Sequence, residues 1–297
     1  MSRPDDRVVL AGVDGSASAR HAAVWAAEVA ARRGAVLRLV QAYVVPSPGV
    51  SGMAVTAVRE GFRSRAESGV AEAEGAVLAE WPSLRIERAV VEGGRVGVLL
   101  RECANAEVAV LGSRGLGGFT GLLIGSTAVS LAAHAPCPVV VVRGRRPDDP
   151  PPIAGPVLAG LDGSPESNDA LGYACEEAAA RGTTLVAVHT WNEITPEGRL
   201  RAAATRPEDV AAAERRRVAD QLAPWREKFP DLPIDVVVVR GRPVRTLLEL
   251  GADARLVVVG SRGRGGFTGM MLGSTSRALL VHSACPVAVV RPGGRPS

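Results

Sequence analysis

A chain of 297 residues with 46% hydrophobic and 22% charged residues is too apolar for disorder and long enough for two domains of roughly 150 residues each. Its net charge of +4 is carried by arginine: Lys228 is the single lysine among 35 basic residues, which excludes a P-loop, Schiff-base or kinase-type lysine at any other position. The arginines are scattered and aromatics make up only 3%, so no stacking platform for nucleic acid is expected.

The polar start, residues 1–6, runs directly into an apolar strand at 8–13, without the charged and then apolar regions of a signal peptide. An alanine-rich helix is predicted over 17–33 and a second strand over 36–40, which together make a βαβ unit. A long helix should span 54–80, after an irregular stretch at 43–57. Strand 85–91, helix 95–104, strand 107–111, helix 127–134 and strand 139–143 follow. Strands at 157–161, 185–188, 234–240, 256–259 and 287–291 repeat this order, with another irregular stretch at 191–208 and a helix opening at Pro243. No apolar run reaches the ~18 residues of a membrane span, and a cytoplasmic location is expected. Cys103, Cys137, Cys175 and Cys285 lack metal-binding spacing and read as buried, reduced thiols.

Three landmarks recur at one offset of 148 residues: Asp14-Gly15-Ser16 as Asp162-Gly163-Ser164, Gly112-Ser113-Arg114-Gly115 as Gly260-Ser261-Arg262-Gly263, and Cys137-Pro138-Val139 as Cys285-Pro286-Val287. A constant offset over separated landmarks means two tandem copies of one domain, read as 1–147 and 148–297, joined through the proline-rich stretch 144–156. The fold class is α/β: two doubly wound domains, each a five-stranded parallel sheet with helices on both faces. Right-handed crossovers give the order 3-2-1-4-5, with the reversal between strands 1 and 4. Ligands in such sheets bind beyond the strand ends at that reversal, where the loops 13–16 and 112–126 lie.

The second of these loops is glycine-rich. Gly112, Gly115, Gly117, Gly118, Gly121 and Gly125 lead into Ser126 and Thr127 at a helix start. Such a loop lets backbone N–H groups approach an anion, the helix N-terminus adds its dipole, and Arg114 adds a charge. The copy carries Gly260, Ser261, Arg262, Gly263, Gly265, Gly266, Gly273, Ser274 and Thr275. Its extra Arg264, where the first copy has Leu116, predicts a phosphate affinity equal to or above that of the first. Asp14 and Asp162 read either as Asx turns or as acceptors for a ligand amine or hydroxyl. Neither serine after them has the GxSxG elbow of a hydrolase, and the four histidines sit elsewhere, His21 within the first helix, His189 near a strand end, and His134 and His282 before the last strand of each copy.

The spacing Gly-two-Gly-nine-Gly-Ser, with the early aspartate, resembles the ATP-binding branch of the universal stress protein family in both copies. The resemblance implies an adenine-nucleotide site in each domain. Asp14 or Asp162, at the end of a strand carrying Gly12 or Gly160, and the backbone just after strand 2, at Ala42 or Thr190, would hold adenine and ribose. The glycine loop, Ser113 or Ser261 and the Ser/Thr pair would hold the phosphates, with Mg²⁺ often bridging them. Tandem members resemble a fused dimer, which leaves room for a homodimer in addition to the intrachain pair. The family often has histidine at the end of strand 2, as at His189; the first copy has Gln41. The function implied is an ATP-binding stress-response or regulatory protein, acting through nucleotide-dependent conformation or partner binding. A slow ATP hydrolase or phosphotransferase is the alternative, although no obvious base stands in the phosphate loop.

Overall fold

A computed structural model describes residues 7–45, 53–116, 124–146, 148–191, 207–263 and 272–293. The chain divides into two compact units, changing over between Pro151 and Pro152.

In the first unit the elements are β1 (Val8–Gly12), α1 (Ala17–Arg33), β2 (Val36–Tyr43), α2 (Met53–Glu80), β3 (Ile86–Glu92), α3 (Arg95–Cys103), β4 (Val108–Gly112), α4 (Ser126–His134) and β5 (Val139–Val142). All pairings are parallel and give the order β3-β2-β1-β4-β5. β1 and β5 are buried along their whole length and β4 nearly so, which is why they read as unbroken apolar runs rather than as alternating patterns. The half-exposed β3 carries its charges at Glu87, Arg88 and Glu92. α1 packs with α2 on one face, and α3 with α4 on the other. Alanines at 19, 22, 23, 26, 27 and 30 are buried on α1 and let that helix sit close to the sheet.

The second unit repeats this with β6 (Val157–Leu161), α5 (Pro165–Arg181), β7 (Leu185–Trp191), α6 (Pro207–Lys228), β8 (Ile234–Arg240), α7 (Pro243–Leu250), β9 (Leu256–Gly260), α8 (Ser274–His282) and β10 (Val287–Val290). Its strand order is β8-β7-β6-β9-β10, again parallel throughout.

Most boundaries fall within a residue or two of expectation, but the second strand of each copy is longer. β2 continues through Gln41, Ala42 and Tyr43 because β3 runs beside it, pairing Ala42 with Val91 and Tyr43 with Glu92. β7 likewise includes Thr190 and Trp191, paired with Val239 and Arg240 of β8. Ala42 and Thr190 are therefore strand residues, not the first residues after a strand. α2 also begins at Met53, inside the stretch expected to be irregular.

All four cysteines are buried free thiols. A hydrogen bond to Cys137 and burial push the Cys103 thiol up, which suppresses its thiolate. Among the described residues no helix is long and apolar enough to cross a membrane.

Candidate functional site

In each unit the site grows from one turn. After β1 the chain reverses through Gly15, at φ +84°, a left-handed conformation that glycine adopts without strain. This turn brings the Asp14 carboxylate back over the backbone, where Oδ1 accepts the Ser16 N–H at 3.1 Å. Asp14 Oδ2 reaches across to the glycine loop and accepts the Leu116 N–H at 2.9 Å. The local Asx turn and a link between the two loops are thus made by one carboxylate. In the second unit Gly163 has φ +75°, and Asp162 Oδ1 accepts the Ser164 N–H at 2.9 Å and its hydroxyl at 2.6 Å.

The loop lies tightly on this turn. A Cβ on Gly115 would collide with Asp14 Oδ2, and one on Gly263 with Asp162 Oδ2, so glycine is what lets each carboxylate lie against the loop. In the first unit the N-cap of α1, Ser16, accepts the Ala19 N–H and donates its hydroxyl to the Arg114 carbonyl at 3.4 Å. Ser18 Oγ accepts the Arg114 N–H at 3.5 Å. Ser113 is fully buried; its N–H donates to Val142 and its carbonyl accepts the Gly125 N–H at 2.8 Å, closing the neck of the loop. Ser261, 1% exposed, does the same with Val290 and Gly273.

Beyond each neck a nine-residue helix begins. The N-cap of α4 is Gly125 and that of α8 is Gly273, and neither has a side-chain capping hydrogen bond. Ser126 and Ser274 stand one residue inside the caps. Ser126 and Ser274 are exposed, Thr127 and Thr275 half-buried. First-turn N–H groups lack intrahelical partners, and with no side chain capping them they offer donors, alongside two hydroxyls, at the positive end of a helix dipole.

The remaining site candidates divide. Ala42 lies on the mouth side by strand alternation. Val13 N–H donates to Val40 on the β1 side and Gly93 N–H to Tyr43 on the β3 side, so the peptide groups of Ala42 face the side where β1 has already ended. Thr190 occupies the same position beyond Leu161. Gly12 and Gly160 are accounted for by packing: a Cβ there would press on Leu111 and Leu99, or on Leu247 and Val259. Gly112 and Gly260 admit the first turn of α1 or α5, at Ser18 and Glu166 respectively. Gly117, Gly118, Gly121, Arg264, Gly265 and Gly266 lie outside the described residues.

Two differences between the copies concern the site. His189 donates from Nδ1 to the Leu161 carbonyl at 2.9 Å, since a carbonyl can only accept, and its Nε2 lies 3.2 Å from Glu214 on α6. Arg217 reaches the other Glu214 oxygen at 3.3 Å. Gln41, its counterpart, is 9% exposed and has no hydrogen-bond partner on Oε1 among the described residues. The second difference is Ser18 against Glu166, which no local sequence signal marks, because its weight comes from the close approach of this position to Gly112 or Gly260. Among the described residues no group of three or more His, Cys, Asp and Glu side chains is placed to hold a metal ion.

A tandem pair of doubly wound α/β domains, each with a glycine loop tied to a strand-end aspartate at the strand-order reversal, is the class that fold and site define. Residues 7–143 and 154–291 each match the sequence model of the universal stress protein family, and the chain belongs to that family. It is 39% identical over 301 residues to a universal stress protein of Mycobacterium tuberculosis, an alignment that covers 98% of this chain and 99% of the relative. The crystal structure of a universal stress protein from Archaeoglobus fulgidus shares the fold, with a TM-score of 0.68 at 20% identity over 97% of this chain and 99% of that one. A universal stress protein solved in complex with cAMP is 27% identical over 46% of this chain and 97% of its own, with a TM-score of 0.36; the cAMP belongs to that protein.

Proposed function

We propose that this chain is a stress-response regulator that binds one ATP in each of two domains, 1–147 and 148–297, in the cytoplasm, and that occupancy sets its conformation or its partner. The observation that carries the reading is the uncapped helix start in both units, placed beyond a closed loop neck and beside a loop held against Asp14 or Asp162. The phosphates fit the N–H groups and hydroxyls at Ser126–Thr127 and Ser274–Thr275, while Ala42 and Thr190 offer backbone groups to adenine. Mg²⁺ would arrive on the phosphates and neutralise part of their charge, since this ion keeps most of its own water and needs few protein ligands. Asp14, with both oxygens already accepting backbone N–H groups, is suited to positioning rather than to proton abstraction.

Binding of this kind stabilises the folded state. With a dissociation constant of about 10 μM and about 1 mM Mg-ATP, linkage gives ~2.7 kcal/mol per coupled domain, a rise in melting temperature of roughly 5–10 °C. Calorimetric melting of nucleotide-free protein tests this, and an unchanged melt at millimolar Mg-ATP refutes the nucleotide reading.

Asp14→Ala separates the two roles of the turn. Loss of a charged hydrogen-bond acceptor should weaken ATP binding in the first domain by about 1.5–3 kcal/mol, or ~10–150-fold. Circular dichroism should show a folded protein. An unfolded Asp14→Ala variant would mean that the carboxylate serves the turn alone.

A further inference from the structure

The position two residues after the serine N-cap differs between the copies, and it lies directly against the start of the glycine loop. In the first unit it is Ser18, only 2% exposed, whose Oγ accepts the Arg114 N–H; a Cβ on Gly112 would come within 2.6 Å of that oxygen. In the second unit it is Glu166, whose Cβ would lie 3.1 Å from a Cβ on Gly260. The same place in the fold therefore grips the loop in two ways. A neutral hydroxyl holds the main chain in one copy. In the other, the Glu166 carboxylate holds the side chain of the loop arginine, with Arg262 Nη2 at 3.6 Å from Glu166 Oε1. Arg114 has no carboxylate partner among the described residues, and its Nε is buried without a hydrogen bond. The first turn of α1 contains no acidic residue, whereas Glu166 stands in the first turn of α5.

These differences act in one direction electrostatically. In the first unit no carboxylate among the described residues pairs with the loop guanidinium, so apart from the strand-end aspartate that both copies share, its positive charge adds to that of the helix start. In the second, Glu166 offsets the charge of Arg262 and sets a negative charge beside the loop, which repels each added phosphate. We propose that Glu166 grades the two nucleotide sites: the first domain prefers the more highly charged nucleotides, and the second is held to a weaker dependence on phosphate number. This rests on the nucleotide reading above; Arg264, outside the described residues, adds a cation to the second loop, and the grading requires Glu166, paired with Arg262, to outweigh it.

Titration of nucleotide-free, full-length protein with AMP, ADP and ATP at low salt tests the proposal. Gly263→Val isolates the first site and Gly115→Val the second. The affinity gain from AMP to ATP should be about three- to tenfold larger at the first site. Adding Glu166→Gln to the Gly115→Val protein should raise ATP affinity about three- to tenfold and AMP affinity less than twofold, and 0.5 M NaCl should largely remove the difference. Arg114→Gln should cost the first site more ATP affinity than Arg262→Gln costs the second. Equal gains for AMP and ATP on Glu166→Gln, or no gain, would overturn the grading while leaving the nucleotide sites intact. Absence of binding to either domain would overturn the nucleotide reading and the grading with it.

Discussion

Gly115→Val is expected to abolish ATP binding in the first domain, by more than about a hundredfold, while the protein stays folded. The added Cβ falls on Asp14 Oδ2, the oxygen that accepts the Leu116 N–H, so the carboxylate must swing away and the loop loses its tie to the first turn. Gly115 itself is not in the left-handed region, so its backbone tolerates a side chain and the damage is confined to that contact. The cost in stability should be about 1–2 kcal/mol, that of a part-buried hydrogen-bonding group left without its partner. A double-mutant cycle sharpens the point. In an Asp14→Ala background, where the clashing oxygen is gone, Gly115→Val should cost little further affinity, giving a coupling close to the whole Gly115→Val loss, about 3 kcal/mol. Independent, additive losses would mean that the two residues meet the nucleotide separately rather than through each other.

Gly112→Ala, three residues earlier, should do the opposite: damage the fold first. Its Cβ would lie 2.6–2.8 Å from Ser18 Oγ and from the carbonyl carbon and oxygen of the same residue, and two of those three atoms are backbone of α1. A helix packed through six buried alanines has no slack to absorb this, so α1 must move off the sheet or β4 must bend. Overpacking of this kind costs about 1–3 kcal/mol and more where backbone must shift; a loss of ~3 kcal/mol lowers the melting temperature of a domain this size by roughly 6–12 °C. Gly260→Ala should be milder, because its nearest contacts are at 3.1 Å. Thermal melts of the two variants, read against each other, check the ordering. Equal destabilisation would mean that the closer approach of α1 to β4 is not what the first copy depends on.

The contrast between Gly112 and Gly115 also marks what was legible in the sequence. Strand order followed from apolar runs alternating with helices and from the handedness of crossovers, because fully buried parallel strands leave no other pattern. The meeting of the two loops at the reversal followed from that order. The motif could not, however, separate glycines that admit a helix, such as Gly112, from glycines that admit the strand-end carboxylate, such as Gly115: both are simply glycine. The length of β2 was missed because pairing with β3, not the local composition of Gln41-Ala42-Tyr43, extends it. α4 was expected from 127, while the Gly125 N–H bond to Ser113 fixes the helix start one residue earlier. Glu166 was invisible for a different reason. Its role appears only when its contact with Arg262 is set beside the neutral Ser18 at the same position, a comparison of differences rather than of identities.

The central claim, one adenine nucleotide in each domain, is tested most directly by calorimetric titration of nucleotide-free protein with Mg-ATP. The account predicts two sites per chain, one removed by Gly115→Val, the other by Gly263→Val, and both by the double variant. A titration with no saturable heat, together with no exchangeable nucleotide on the purified chain by native mass spectrometry, would contradict it.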